Sequence, residues 1–144
     1  MVIIGLDYGE QRIGMAVSDE LEIAAHPLPT VRKDGTELDA IARAVAERGA
    51  SRIVVGLPIQ MDGAEGIQAR KVRAFIKELR RRLAEVEILT VDERLTTAQA
   101  QRALSEMGAT GRRRRESIDR MAAQFILQRH LDQRASERRE CCES

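Results

Sequence analysis

Val2-Ile3-Ile4-Gly5-Leu6-Asp7-Tyr8-Gly9 runs directly into Glu10-Gln11-Arg12-Ile13-Gly14-Met15-Ala16-Val17-Ser18. Val2–Asp7 is a β-branched, apolar stretch and reads as a buried strand that ends at Tyr8-Gly9. Ile13–Ser18 alternates imperfectly and reads as its hairpin partner across the turn Gly9-Glu10-Gln11-Arg12. A strand this apolar has to be central, so the rest of the chain is read as what covers and extends it.

Ala24–Val31 is extended but carries Pro27 and Pro29, which lack the ladder donor; it is expected at a sheet edge. Thr36 with Asp39 resembles a capping box, Leu38, Ile41, Ala42 and Val45 form one helical face, and Gly49 stops the helix. Arg52–Leu57 is a short buried strand of the parallel type, ended by Pro58. A glycine-containing loop from Gly56 to Gly66 leads into a long helix with the face Val72, Phe75, Ile76, Leu79 and Leu83. Ile88–Asp92 is a further strand. Thr96 and Gln99 suggest a second capping box, with Leu95 stapled on Ala100 and a helix through Ala103, Leu104 and Met107 to Gly108. A last helix, Ser117–Gln133, buries Ile118, Met121, Ala122, Phe125 and Ile126. The order β-β-β-α-β-α-β-α-α predicts one α/β domain over residues 1–133. Its sheet is five-stranded and mixed, a three-strand antiparallel meander plus parallel strands with crossover helices. Residues 134–144 are polar and are expected to form a frayed or disordered tail.

Composition narrows the function classes. The 144 residues carry 24 basic and 23 acidic side chains, a net charge of +1, which argues against a histone-like polycation or an acidic disordered chain. Tyr8, Phe75 and Phe125 are the only aromatics, too few for a base-stacking platform. Cys141 and Cys142 are adjacent in the polar tail, which fits neither a disulfide framework nor a zinc site and suits a reducing cytoplasm. The first apolar run is too short for a signal peptide or a membrane span. His26 and His130 belong to no metal-ligand pattern, and no Walker loop, GxGxxG or HExxH is present.

Three acidic points remain. Asp7 shares a strand face with Ile3 and Gly5 and sits at the C-terminal strand end, where α/β sheets bind ligands. A carboxylate there is costly unless paired or metal-bound, although it also suits the first position of a turn. Asp92-Glu93 follows another apolar strand; which of the two faces the site stays open, since a one-residue register change swaps them, and Glu93 also suits a salt bridge to Arg94. Asp119 borders the buried stripe of the last helix, beside Ala122 and Ala123, and would also favour the helix dipole. Together, the three points suit Mg²⁺ or Mn²⁺, which take hard oxygen ligands. From Arg112 to Arg139, nine arginines face four acids, a local charge of +5. The run Arg112, Arg113, Arg114 and Arg115 leads straight into Asp119, as a site acting on a polyanion requires. Arginine supplies 21 of the 24 basic residues, which codon bias or bidentate phosphate binding would each explain.

Asp7-Tyr8-Gly9-Glu10-Gln11-Arg12-Ile13-Gly14-Met15-Ala16-Val17-Ser18-Asp19 resembles the opening signature of the YqgF/RuvX family, DxGxxRxGxAxSD. Val54–Pro58 with Met61-Asp62-Gly63 and Gly66, Asp92–Thr97, and Ile118-Asp119 with Ala122-Ala123 and Ile126–Gln128 agree in the same order. The resemblance implies an RNase H-like fold, a bacterial cytoplasmic protein, and a nuclease of pre-16S rRNA related to Holliday junction resolvases. It implies catalytic acids at Asp7, Asp92 or Glu93, and Asp119, with Arg12 and Arg94 near phosphate. Resolvases of this superfold carry a second acid in the last helix, where this chain has Ala122 and Ala123.

The leading expectation is metal-dependent hydrolysis of an rRNA precursor, alone or on a pre-ribosomal subunit, by a monomer or weak homodimer. Branched DNA as substrate, a non-catalytic ribosome-assembly factor, and a one-lobed ATPase built on Asp7-Tyr8-Gly9 are the alternatives.

Overall fold

The structure, a computed structural model, describes residues 1–58, 65–92 and 111–143, with only the backbone described at 111–120 and 140–143. Its strands are β1 (Val2–Tyr8), β2 (Arg12–Ser18), β3 (Ala25–Arg32), β4 (Ala50–Leu57) and β5 (Glu87–Asp92). Its helices are α1 (Glu37–Arg48), α2 (Ile67–Arg82) and α3 (Gly111–Glu143). The sheet order is β3-β2-β1-β4-β5. β1–β2 and β2–β3 pair antiparallel, the expected meander, and β4 pairs parallel with both β1 and β5.

Alternation along β1 divides the core in two. Ile4 and Leu6 join Ile13, Met15, Val17, Ile53 and Val55 beneath α1 and α2. Ile3 joins Ala16, Ala25 and Val54 beneath Ala123, Ile126, Leu127 and Leu131 of α3. Gly5 belongs to this second face, and a Cβ there would stand 2.8 Å from Leu127 Cβ and 3.1 Å from the Ala123 carbonyl oxygen. That close approach rotates the buried stripe of α3. Ala122, Ala123, Ile126, Leu127 and Leu131 are fully buried, whereas Met121 and Phe125 of the expected stripe are half-buried. Leu127 and Leu131 are thus spent on the internal core rather than on a dimer face.

The prolines place β3 at the edge, and one extra β3 residue between the pairs Ile13–Val31 and Met15–Leu28 marks a bulge at Pro29-Thr30. Gly49 ends α1 in the left-handed region, at φ 64°, donating its N–H to the Val45 carbonyl. The expected capping box at Thr36 does not form. Thr36 Oγ1 instead donates to Asp34 at 2.5 Å, and Asp39 pairs with Arg82 of α2.

The largest departure is the end of α3. The helix continues past Gln133 to Glu143, where a loose tail is expected. Glu22, in the β2–β3 turn and only 8% exposed, accepts a 2.7 Å hydrogen bond from Arg134 Nε and lies 3.6 Å from Arg138 Nη1. These pairs anchor two turns of an apolar-poor helix that a hydrophobic pattern does not reveal. The Thr96 capping box, the Leu95 staple and the helix ending at Gly108 lie outside the described residues. Among the described residues, no helix is long and apolar enough to cross a membrane.

Candidate functional site

Asp7 stands at the C-terminal end of the central strand, half-buried, on the α3 face. Its partner on β2 is Gly14; on β4, Gly56 follows Val55, the partner of Leu6. Both flanking strands therefore carry glycine beside this carboxylate. Arg12 is two residues from Gly14 and lies on the same face, with Arg32 as its β3 partner. Sequence reading picks out Arg12 and misses Arg32, which lies at the far end of a proline-containing edge strand.

The turn before Arg12 is tightly built. Gly9 donates its N–H to the Arg12 carbonyl at 2.9 Å, and a Cβ on Gly9 would stand 2.6 Å from that oxygen. Tyr8 points to the opposite face, its ring 4.7 Å from that of Phe75. Lys33 Nζ lies 4.0 Å over the Tyr8 ring and donates to the Gly9 carbonyl at 3.2 Å. Lys33, absent from the sequence-derived site, clamps the turn that presents Asp7. Ser18 and Asp19 close the same signature with structural work. Ser18 Oγ accepts the Ile3 N–H at 2.8 Å in the core. Asp19 accepts the N–H groups of Ile23 and Ala24, which hold its carboxyl below the usual carboxylate range.

Asp92 pairs with Leu57, whose side chain belongs to the α1–α2 core, while Val91 packs on the α3 core. The Asp92 side chain therefore sits on the face opposite Asp7. Its carbonyl accepts a 2.8 Å hydrogen bond from Arg129 Nη1, which ties the end of β5 to α3. α3 runs antiparallel to β1, since Leu131 shares the core of Ile3 and Ala123 covers Gly5. Position 119 lies one turn before Ala123; a turn rises about 5.4 Å, close to the two-residue step of about 6.6 Å from Gly5 to Asp7. The backbone thus carries position 119 to the level of Asp7. The side chains of Asp119 and Arg112–Arg115, and all of Glu93 and Arg94, lie outside the described residues. Among the described residues, no group of three potential ligands forms a metal cluster.

The family model described as "RuvX: Holliday junction resolvase" matches residues 1–133. The chain belongs to the RuvX family. A Ruegeria pomeroyi relative named "Putative pre-16S rRNA nuclease" is 46% identical over 132 residues, covering 90% of this chain and 85% of its own. One of the same name from Syntrophus aciditrophicus is 44% identical over 134 residues, covering 92% and 89%. Among solved structures, Thermus thermophilus RuvC in complex with a Holliday junction substrate aligns over 94% of this RuvX chain and 96% of its own, with a TM-score of 0.60 at 17% identity. The fowlpox virus Holliday junction resolvase covers 92% and 99%, with a TM-score of 0.54 at 13% identity. These likenesses establish the RNase H-like fold for the RuvX chain.

Proposed function

We propose that this RuvX protein is a metal-dependent endonuclease that hydrolyses phosphodiester bonds in the bacterial cytoplasm, processing the 5′ end of pre-16S rRNA. The observation that carries this reading is Asp7 at the C-terminal end of the central strand, flanked by Gly14 and Gly56. A hard carboxylate oxygen at a strand end fits Mg²⁺ or Mn²⁺ with retained waters. Asp7, Glu93 and Asp119 would hold the ion. Glu93 is preferred to Asp92 because the pairing of Asp92 with Leu57 turns the Asp92 side chain to the face opposite Asp7. When bound, the ion supplies an activated water and stabilises charge on the phosphate. The chain's own part is to orient the substrate: Arg12, Arg94 and Arg112–Arg115 bind phosphates flanking the cleaved bond.

Asp7→Asn is expected to abolish cleavage of a purified rRNA precursor while its RNA affinity changes less than about threefold. Equal cleavage by wild type and variant, in preparations free of other nucleases, would overturn the assignment. The family description also favours branched DNA as substrate. Against this, Ala122 and Ala123, where resolvases carry a second acid, are both fully buried and Ala123 packs on Gly5. Competing a four-way junction against the rRNA precursor separates the two, and preferential cleavage of the junction would reverse our choice.

A further inference from the structure

α3 lies across β3, β2 and β1 and makes only slight contact with β4. A cleft of about 500 Å³ consequently opens between β5 and the C-terminal half of the helix, within the size range of small-ligand sites. Leu89 and Val91 contribute apolar surface on the face that also carries Asp7. Arg129, His130 and Gln133 form the opposing wall. Two further arginines at the cleft are already committed, Arg52 to Glu87 and Arg134 to Glu22. Asp92 meets the cleft through the carbonyl that Arg129 binds, and Glu137 is the carboxylate residue of the helix wall.

The wall carries donors that the protein leaves largely unspent. Arg129 gives one N–H to the Asp92 carbonyl and, among the described residues, meets no carboxylate at ion-pair distance. Four further guanidinium N–H groups remain to it. Gln133, exposed, makes no hydrogen bond among the described residues. His130 Nε2 is buried without a hydrogen-bond partner, and burial keeps the imidazole neutral by lowering its pKa. A cation and amide donors facing one cleft call for an anion with several acceptor oxygens, and a phosphodiester is such a group. A cleft of about 500 Å³ is the size of a small-ligand site, which suits one phosphate and its sugar on a single strand rather than a duplex. β5 lies two strands from β1, about 10 Å from Asp7, within reach of a few nucleotides.

We propose that the cleft between β5 and α3 binds the backbone phosphate of an unpaired RNA segment flanking the cleaved bond. This rests on the nuclease reading and deepens it: the substrate is RNA with a single-stranded extension next to a stem. Arg129 and Gln133 are the phosphate donors.

The test uses the Asp7→Asn protein, which is expected to hold RNA without cutting it. Fluorescence anisotropy measures its affinity for a labelled stem with an eight-nucleotide single-stranded tail and for the same stem with a blunt end, across a KCl series. The tailed RNA is expected to bind at least tenfold tighter. Arg129→Gln and Gln133→Glu, each added separately, should weaken tailed-RNA binding about tenfold and leave the blunt stem unchanged. Arg129→Gln should also lower the salt slope by about 0.7, one single-strand phosphate contact. Gln133 is exposed, so Gln133→Glu keeps the test open if Arg129→Gln unfolds. Tight binding of tailed RNA that neither variant alters would overturn the cleft and leave the nuclease reading standing. Failure of the Asp7→Asn protein to bind either RNA would overturn both.

Discussion

His130 shows how one residue converts burial into pH dependence. Desolvation, helped by the nearby positive charges of Arg52 and Arg134, lowers its pKa below 6.5, so the folded protein resists protonation that the unfolded chain accepts. As pH falls below about 6.5, the unfolded state therefore gains protons first, and folding stability declines until the folded pKa is passed. His130→Leu removes that linkage. Urea denaturation at pH 7.5 and pH 5.5 should show a smaller loss of stability in the variant than in the wild type; an equal loss would show that His130 does not carry the effect. At this scale, the sequence singles out Asp7 and Arg12 as candidates, because an acid after an apolar strand and the signature around it are local features. Sequence reading set His130 aside as structural and missed Lys33, Arg32 and Arg129. Their positions depend on side chains from distant segments meeting, as Lys33 meets Tyr8 and Gly9 and Arg129 meets the end of β5.

At the scale of elements, apolar β-branched runs and the alternation of Ile13–Ser18 made the strands legible, and the prolines of β3 marked the edge. The meander and the parallel strands followed from the alternation of strands and helices, whereas the strand order was implied by the family resemblance. The face of Asp92 became legible only from its pairing with Leu57, a register absent from either segment alone, and Glu93 lies outside the described residues. The end of α3 was not legible. Past Leu131 the helix has little apolar surface, and what holds it is Glu22, more than a hundred residues earlier, with Arg134 and Arg138. Glu22 itself sits at φ 59°, a backbone conformation unusual for a non-glycine residue. Glu22→Ala leaves Arg134 without its partner and should cost about 1–3 kcal/mol. Hydrogen exchange localises the effect: amides from Arg134 to Glu140 should exchange at least tenfold faster, with those of β1 changed much less. Unaltered protection beyond Gln133 would mean that the helix end is held by other means.

For the whole molecule, a net charge of +1 conceals segregation. α3 spans 33 residues, about 50 Å, while a seven-residue strand of the sheet spans about 23 Å. The helix therefore projects beyond the sheet, and residues 112–139 concentrate nine arginines against four acids along it. Its N-terminal turns carry Arg112–Arg115 toward the strand end that bears Asp7, because α3 runs antiparallel to β1. A nearly neutral protein organised in this way should still bind RNA with strong salt dependence, since counterion release counts local phosphate contacts rather than total charge. Replacing all four arginines by glutamine in the Asp7→Asn background tests this directly. If each contacts one single-strand phosphate, the slope of log affinity against log salt should fall by about 3. The RNA affinity should drop most at low salt, and the two proteins should converge as salt rises. A slope unchanged by the fourfold substitution would assign the arginine run to solvent and the polyanion contacts to other residues.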